Sequence, residues 1–192
     1  MANENKTKYA ILGVLNIQSG SGYDIKKFCD RSINHFWSEN YGHIYPVLKQ
    51  MENDGWVIKT TENLPGKPKR NLYSVTDAGR DALREWLLTP AELTKPRYEV
   101  LLKMFFSDEL PVETTLIRII ELKTFFEEML QEFEQIETDC KDVMNEKGPE
   151  GEHLFYRFST LRYGILNTKA NIAWCTEVIE HLEKHQKRSM TK

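Results

Sequence analysis

Two long heptad patterns in the second half of the sequence constrain the fold more than any other feature. In each pattern, apolar residues recur at alternating steps of three and four, the spacing of a helix that packs lengthwise against another helix. A breaker with two glycines and a proline, residues 147–151, separates the patterns, so the two helices can fold back as an antiparallel hairpin. The first pattern comprises Ile119, Leu122, Phe126, Met129, Phe133, Ile136, Cys140 and Val143. The second comprises Leu154, Phe158, Leu161, Ile165, Thr168, Ile172, Cys175, Ile179 and Leu182.

A hairpin of two helices leaves much of its apolar surface uncovered. The aromatic residues Phe125, Phe155, Tyr163 and Trp174 lie off the heptad patterns and also need burial. The same hairpin of a second subunit would cover them, so the sequence predicts a homodimer. The predicted dimerisation residues are Leu122, Phe126, Met129, Phe133, Leu154, Phe158, Leu161, Ile165, Ile172 and Ile179.

Charge and proline content divide the chain near Pro90 and Pro96, since proline disfavours helix at the residue before it. Residues 1–90 carry 12 Lys and Arg against 10 Asp and Glu, whereas residues 91–192 carry 14 against 19. We therefore predict two domains, 1–90 and 91–192. Because the net charge of the 192 residues is -3, any contact with nucleic acid must come from a local basic patch.

Several classes of protein do not fit this composition. No run of about 18 apolar residues and no apolar leader is present, which predicts neither a membrane span nor secretion. The three cysteines are odd in number and widely spaced, which argues against a disulfide framework or a zinc site and favours a cytoplasmic location. No glycine-rich phosphate loop, nucleophile elbow or catalytic carboxylate pair is apparent. We predict that the chain is not an enzyme and binds no cofactor.

One group of residues has a spacing that could suit a metal ion. Glu177, His181 and His185 could face one side of a helix. They lie at the end of a strongly charged helix, so the favoured interpretation is a solvated helix terminus. The prediction for metal sites is none.

The first half begins with three short helices. A Gly/Ser cluster at residues 19–22 separates two stretches of helical spacing. A third stretch begins near Ser38, a suitable N-cap, and ends before Gly55; its apolar residues follow the i, i+3, i+4, i+7 pattern. The apolar residues of the three stretches are Ile11, Val14 and Leu15, then Ile25, Phe28 and Cys29, then Ile44, Val47, Leu48 and Met51.

A β-hairpin and a fourth helix follow. Residues 56–61 and 71–75 are rich in β-branched and aromatic side chains, and a turn with two prolines lies at residues 64–68. Thr76 and Asp77 then cap a helix. The order helix, helix, helix, hairpin, helix is that of a winged helix-turn-helix. The predicted fold is mainly α: an N-terminal winged helix-turn-helix followed by long C-terminal antiparallel helices that form a dimer.

Five segments of this order carry recognisable motifs: residues 9–15 (YAILGVL), 20–25 (GSGYDI), 41–48 (YGHIYPVL), 66–70 (GKPKR) and 73–79 (YSVTDAG). Together they closely resemble the PadR family of bacterial transcriptional regulators. The resemblance implies a homodimeric winged-helix DNA-binding protein, usually a repressor, that often responds to phenolic or other small aromatic compounds. The helical second half resembles the longer-tailed branch of that family, where it forms the dimer. Tyr41 departs from the commoner family pattern, and the base preference stays open.

The third helix has an outward face suited to DNA. At 100° per residue, Gly42, Pro46 and Lys49 point away from the apolar side. Lys49 can neutralise a phosphate, and neighbouring rings offer contacts to phosphates or base edges. The alternative is that these are ordinary solvated residues, or, for Tyr23, a ring packed beside Trp37. The residues predicted to bind DNA here are Tyr23, Ser38, Asn40, Tyr41, Gly42, His43, Tyr45 and Lys49.

The hairpin turn carries a cluster of positive charge. Lys67, Lys69 and Arg70 place three cations within four residues, which predicts a phosphate or minor-groove contact. A solvated hairpin tip is the alternative. The predicted partner is double-stranded DNA with an inverted-repeat operator, because a dyad relates the two recognition helices of a dimer. A winged helix that binds another protein instead of DNA remains the alternative function.

Aromatic residues are concentrated where the two halves of the chain must meet. Aromatics fill domain junctions without any ligand, so plain core is one interpretation. The other is a pocket for a small aromatic effector, whose identity the sequence does not give. The residues of the predicted pocket are Phe36, Trp37, Trp86, Tyr98 and Phe105.

Overall fold

The computed structural model describes residues 6–63, 66, 69–92, 96–144 and 149–190. The chain divides into two compact units, Met1–Thr94 and Lys95–Lys192. The first contains, in order, α1 (Thr7–Ile17), α2 (Gly22–Ser32), α3 (Tyr41–Asn53), β1 (Val57–Glu62), β2 (Arg70–Val75) and α4 (Asp77–Leu88). The second contains α5 (Glu99–Phe105), a short 3-10 helix (Ser107–Glu109), α6 (Val112–Met144) and α7 (Pro149–Met190). This confirms the predicted fold class of a winged helix followed by long helices.

The first three helices of the first unit pack through the apolar positions that the spacing predicts. Ile11, Ile25, Ile44 and Leu48 have at most 1% of their surface exposed. Met51, Val57 and the half-buried Leu83 join the same cluster. The helix-turn-helix and the hairpin therefore share one core, which leaves the opposite face of α3 in solvent.

The start of α3 differs from the prediction. The helix begins at Tyr41 rather than near Ser38, because Asn40 is its N-cap: the Asn40 Oδ1 accepts a hydrogen bond from the His43 backbone N–H at 3.1 Å. Ser38 precedes the cap and is exposed. At the other end, Gly55 adopts φ +73°, the left-handed conformation that favours glycine after a helix.

The wing is the antiparallel pair β1–β2, in register from Val57 opposite Val75 to Glu62 opposite Arg70. α4 follows directly, with Thr76 as its N-cap. Gly79 in the first turn of α4 lies against Trp56, the residue before β1: a Cβ there would stand 2.2 Å from the Trp56 carbonyl oxygen. Only glycine allows the helix to approach the start of the strand so closely.

The second unit is built on the α6–α7 hairpin. Phe133, Leu161 and Ile165 form its core cluster, with Met129 and Phe158 packed against them. The polar member of the second heptad pattern, Thr168, is buried and donates a hydrogen bond from Oγ1 to the Met129 Sδ at 3.7 Å. A hydroxyl is therefore accommodated in the apolar interface because it has an acceptor.

Two features of the second unit were not expected from the sequence. α7 already begins at Pro149, so residues 149–151 of the predicted breaker belong to the helix. Proline suits the first helical position because the N–H that proline lacks would have no partner within the helix there. The short α5 was not predicted either, since seven residues are too few to show a helical period.

Within the described part of the chain, no helix has the length and apolar character needed to cross a membrane.

Candidate nucleic-acid interface

The face of α3 that points away from the core is polar and solvent-exposed. Ile44, Leu48 and Met51 are buried on one side. The exposed positions on the other side match the face inferred from the helical period. They are Gly42, His43, Tyr45, Pro46, Lys49, Gln50 and Asn53.

The N-terminal end of α3 is held by short-range polar contacts. The Trp37 indole N–H donates to the carboxylate of the buried Glu39 at 2.5 Å, and Glu39 immediately precedes the helix cap Asn40. Gly42 lies close to that cap, since a Cβ on it would stand 3.2 Å from the Asn40 Oδ1. Pro46 lies inside the helix and has no N–H to donate to the Gly42 carbonyl one turn earlier. The start of the helix thus presents backbone as well as side chains.

Tyr45 joins α3 to the N-terminus of α2. Its ring lies over Gly22, where a Cβ would stand 2.7 Å from the Tyr45 Cε1. About half of the Tyr45 surface, 50%, remains exposed. Tyr23, the next residue of α2, is also largely exposed. Two tyrosine rings are therefore available to solvent where the two helices of the helix-turn-helix meet.

The base of the wing is fastened to the segment that precedes α2. Gly20 and Tyr73 exchange two backbone hydrogen bonds of 3.1 and 2.9 Å, which adds a β-bridge to the edge of β2. The hydroxyls of Ser19 and Ser74 lie 2.7 Å apart. Further along the wing, the Arg70 guanidinium contacts the Asp24 carboxylate.

Asp24 also forms the capping box of α2. Its Oδ2 accepts hydrogen bonds from the Ser21 backbone N–H and hydroxyl, both at 2.7 Å. Burial by itself would raise the pKa of Asp24, but the hydrogen bonds from Ser21 and the Arg70 charge outweigh it. The pKa of Asp24 is therefore lowered, and the carboxylate is held in its charged form.

The predicted cations of the wing differ in their surroundings. Lys69 is exposed, while Arg70 is paired with Asp24; Lys67 lies outside the described residues. Lys49 on α3 is likewise exposed. Among the described residues, neither Lys49 nor Lys69 takes part in an ion pair. The side chain of Tyr41 is outside the described set.

The predicted dimerisation residues pack largely within one hairpin. Phe133, Leu161 and Ile165 are buried between α6 and α7. Leu122, Phe126, Met129, Leu154, Phe158, Ile172 and Ile179 are half-buried. Large apolar side chains remain exposed elsewhere on α7. They are Phe155, Tyr156, Tyr163 and Leu166.

The five residues of the predicted effector pocket have varied neighbours within their own units. Trp86 stacks on Tyr9, with ring centroids 4.6 Å apart and planes inclined by 7°. Trp37 is bonded to Glu39, and Phe36 is half-exposed with an edge contact to His35. In the second unit, Tyr98 and Phe105 are exposed, and Phe105 meets Phe106 edge to face.

A cavity of about 390 Å³ lies in the second unit, between Met104 of α5 and the C-terminal part of α7. Trp174, Glu177 and His181 line it. Among the residues that the structure describes, no three His, Cys, Asp or Glu side chains are grouped closely enough to hold a metal ion.

Sequence reasoning missed the role of Asp24. The spacing of Ser21 and Asp24 is a local signature of a helix start. No local signal, however, relates Asp24 to Arg70 in the wing, because that contact depends on how the hairpin folds back onto α2. The sequence offered Arg70 only as one of three neighbouring cations.

Comparison with known proteins gives a family match for each part of the chain. Residues 11–85 match the model of the transcriptional regulator PadR-like family, and residues 96–183 match the virulence activator alpha C-terminal family. The chain is 28% identical over 186 residues to the probable transcriptional regulator Rv1176c of Mycobacterium tuberculosis, covering 92% of this chain and 97% of that protein. It is 25% identical to the negative transcriptional regulator PadR of Bacillus subtilis, covering 92% and 97%.

Solved structures show the same fold. Bacillus subtilis PadR in complex with operator DNA superimposes with a TM-score of 0.79 at 23% identity, covering 93% of this chain and 99% of that one. The same protein in complex with p-coumaric acid gives a TM-score of 0.76, also at 23% identity with the same coverage. The Vibrio cholerae virulence activator AphA gives 0.70 at 28% identity, covering 93% and 98%.

Proposed function

We propose that this protein is a homodimeric operator-binding repressor, because residues 11–85 match the PadR-like family of transcriptional regulators and residues 96–183 match the virulence activator alpha C-terminal family. The further proposal is that a small aromatic effector releases it from DNA. The observation that carries the proposal is the exposed polar face of α3, flanked by a wing that carries Lys69.

The proposed DNA contacts follow from exposure and charge. Lys49 and Lys69 have no ion-pair partner in the described part of the chain, so their charges are available to phosphates. His43 and Tyr45 stand on the same outward face and offer ring and hydrogen-bond contacts to base edges. Asn40, Gly42 and the exposed Tyr23 would bring the helix start close to the sugar-phosphate backbone.

The proposed dimer rests on the exposed side of α7. At 100° per residue, Phe155, Tyr156, Tyr163 and Leu166 fall within an arc of about 100°. This arc is on the side of α7 away from Leu161 and Ile165 of the hairpin core. A second copy of the hairpin would remove these side chains from water, which stabilises association. The dimer would also place two copies of α3 about a dyad and favour inverted half-sites.

Repression and effector release draw support from the relatives. The Bacillus subtilis relative is named a negative regulator, and that protein has been solved both with operator DNA and with p-coumaric acid. A ligand could act here by favouring one spacing of the two recognition helices. Its effect would be limited to its differential affinity for the two states, about 1 to 3 kcal/mol.

The first experiment measures binding to the DNA upstream of the protein's own gene by fluorescence anisotropy at several salt concentrations. Affinity should fall steeply with salt because bound phosphates release counterions. Lys49→Ala and Lys69→Ala should each flatten the slope of log affinity against log salt by about 0.9. Lys103→Ala, which removes a lysine paired with Glu99 in the second unit, should leave the slope unchanged. Binding that is insensitive to salt and to both substitutions would favour a protein-binding winged helix.

The second experiment tests effector release. A panel of phenolic acids and planar aromatic compounds is titrated while tryptophan fluorescence and operator release are recorded together. Quenching with release at the same concentration supports the effector proposal. Quenching without release would mean adventitious binding, and the absence of both responses would leave a regulator without a small aromatic effector.

A further inference from the structure

The N-terminus of α2 is the junction between the recognition helix and the wing. On one side, the Tyr45 ring of α3 rests on Gly22. On the other side, Gly20 pairs with Tyr73 of β2, and Asp24 pairs with Arg70 of the same strand. Both DNA-facing elements are therefore fixed to the same turn of chain.

Arg70 occupies the outer end of the wing. It is the first residue of β2 and lies opposite Glu62, the last residue of β1. Its Nη2 donates to the Asp24 Oδ2 and lies 3.4 Å from the Ser21 Oγ. The Gly20–Tyr73 bridge holds the strand three residues further along, so Arg70 provides a second, separate point of attachment. Two points prevent the hairpin from pivoting about the bridge.

We propose that Arg70 is a positioning residue: by pairing with Asp24 it holds the wing at a fixed place relative to α3, and it does not itself neutralise a DNA phosphate. This inference rests on the proposed DNA-binding function. It separates Arg70 from its neighbour Lys69, although the two cations are adjacent in sequence.

The electrostatics of the pair support this assignment. A carboxylate in contact with a guanidinium neutralises most of the positive charge of the guanidinium. Charge-assisted hydrogen bonds of this kind are stronger than hydrogen bonds between neutral groups. The Asp24 carboxylate also keeps two hydrogen bonds from Ser21. A phosphate would have to compete with this carboxylate for Arg70, whereas Lys69 has no such competitor among the described residues.

The two possible roles predict opposite effects of Asp24→Asn. Asn keeps an oxygen that can accept from the Ser21 backbone N–H, so the cap of α2 is retained. If Arg70 positions the wing, loss of the pair lowers operator affinity. If Arg70 binds phosphate, the substitution releases Arg70 and removes a negative charge near DNA, so affinity rises.

The experiment compares wild type, Asp24→Asn, Arg70→Ala, the double variant, and Lys69→Ala as the matched control, on operator and random DNA across salt. Each single variant at the pair should lower operator affinity about tenfold, and the double variant should be no weaker than either single one. The salt slope should stay at the wild-type value for Arg70→Ala and fall by about 0.9 for Lys69→Ala. Tighter binding by Asp24→Asn, or a lowered slope for Arg70→Ala, would overturn the assignment.

A second measurement does not depend on DNA. Titration of the Asp24 carboxyl by NMR should show its pKa rising toward the ordinary value in Arg70→Ala, because that variant removes the cation beside it. An unchanged pKa would mean that the pair does not form in solution, which also overturns the proposal. If wild type fails to bind DNA while the pKa rises as expected, the proposed function fails and the contact within the protein stands.

Discussion

The Tyr45 ring lies directly over the backbone of Gly22, so that a Cβ at Gly22 would stand 2.7 Å from Cε1 and 2.9 Å from Cζ of the ring. Real Cβ atoms do not approach other atoms so closely. The contact brings α3 against the first turn of α2 and couples the outward face of α3 to that turn. Gly22 is buried, whereas half of Tyr45 is exposed.

Gly22→Ala should destabilise the first unit by about 1 to 3 kcal/mol, since the methyl group overpacks the contact with Tyr45. The companion substitution Tyr45→Ala makes room for that methyl group. The double variant should therefore lose less stability than the sum of the two single variants. Urea unfolding of all four proteins measures this coupling. Additive losses would show that Gly22 is not restrained by the Tyr45 ring.

Glycine to alanine should have opposite effects at two other helical positions. At Gly79 the new Cβ would stand 2.2 Å from the Trp56 carbonyl oxygen, a backbone atom that cannot move aside easily. Gly79→Ala should cost about 3 kcal/mol or prevent folding. At Gly13 inside α1, no described atom beyond its chain neighbours and the backbone of its own helix lies within 4 Å of the added Cβ, so Gly13→Ala should stabilise by about 0.5 to 1 kcal/mol. Thermal unfolding distinguishes the two, and a stabilised Gly79→Ala protein would contradict the observed packing.

Replacing Tyr156 and Tyr163 together by Asp should convert the proposed dimer to folded monomers. The two side chains are 73% and 65% exposed in the single chain, so the hairpin does not need them for its own core. Phe133→Asp is the contrasting variant, because Phe133 is buried between α6 and α7, and it should unfold the second unit. Sedimentation and circular dichroism separate dissociation from unfolding. A stable dimer carrying both aspartates would place the interface elsewhere.

Stability should decline at alkaline pH through Cys29. Burial raises the pKa of its thiol to about 11, with Glu39 and Asp30 adding to the effect, from an ordinary value of 9.0. The folded state thus prefers the neutral thiol. The contribution of the neutral thiol to the free energy of unfolding is complete below pH 9. This contribution is lost as pH rises toward 11, by up to about 1.4 kcal/mol per pH unit. The stability difference between wild type and Cys29→Ala should change over this range. A constant difference would mean that the thiol ionises normally in the fold.

The sequence predicted the parts of the fold that depend on local periodicity. The buried face of α3 follows from the spacing of Ile44, Leu48 and Met51, and the α6–α7 packing follows from the heptad patterns. The start of α3 was placed incorrectly because both Ser38 and Asn40 are suitable caps. Only the backbone geometry decides that Asn40 meets the His43 N–H.

The contacts around the candidate site were harder to predict. The outward face of α3 was predictable because it is simply the side opposite the core. The pairing of Arg70 with Asp24, and of Tyr45 with Gly22, joins residues that are distant in sequence. Their meeting depends on how α2, α3 and the wing pack together, which no single segment encodes. The same holds for Gly79 and the Trp56 carbonyl oxygen.

The stacking of Tyr9 on Trp86 has a consequence for the order of folding during synthesis. These rings come from the first and last helices of the first unit, so this contact has a high sequence separation and forms slowly compared with local ones. A nascent chain cannot complete the unit until α4 has left the ribosome. Because the N-terminus of a chain leaves the ribosome first, the winged helix can then fold before α6 and α7 have been synthesised. We expect a fragment that stops before Trp86 to be more susceptible to proteolysis than one that ends after α4.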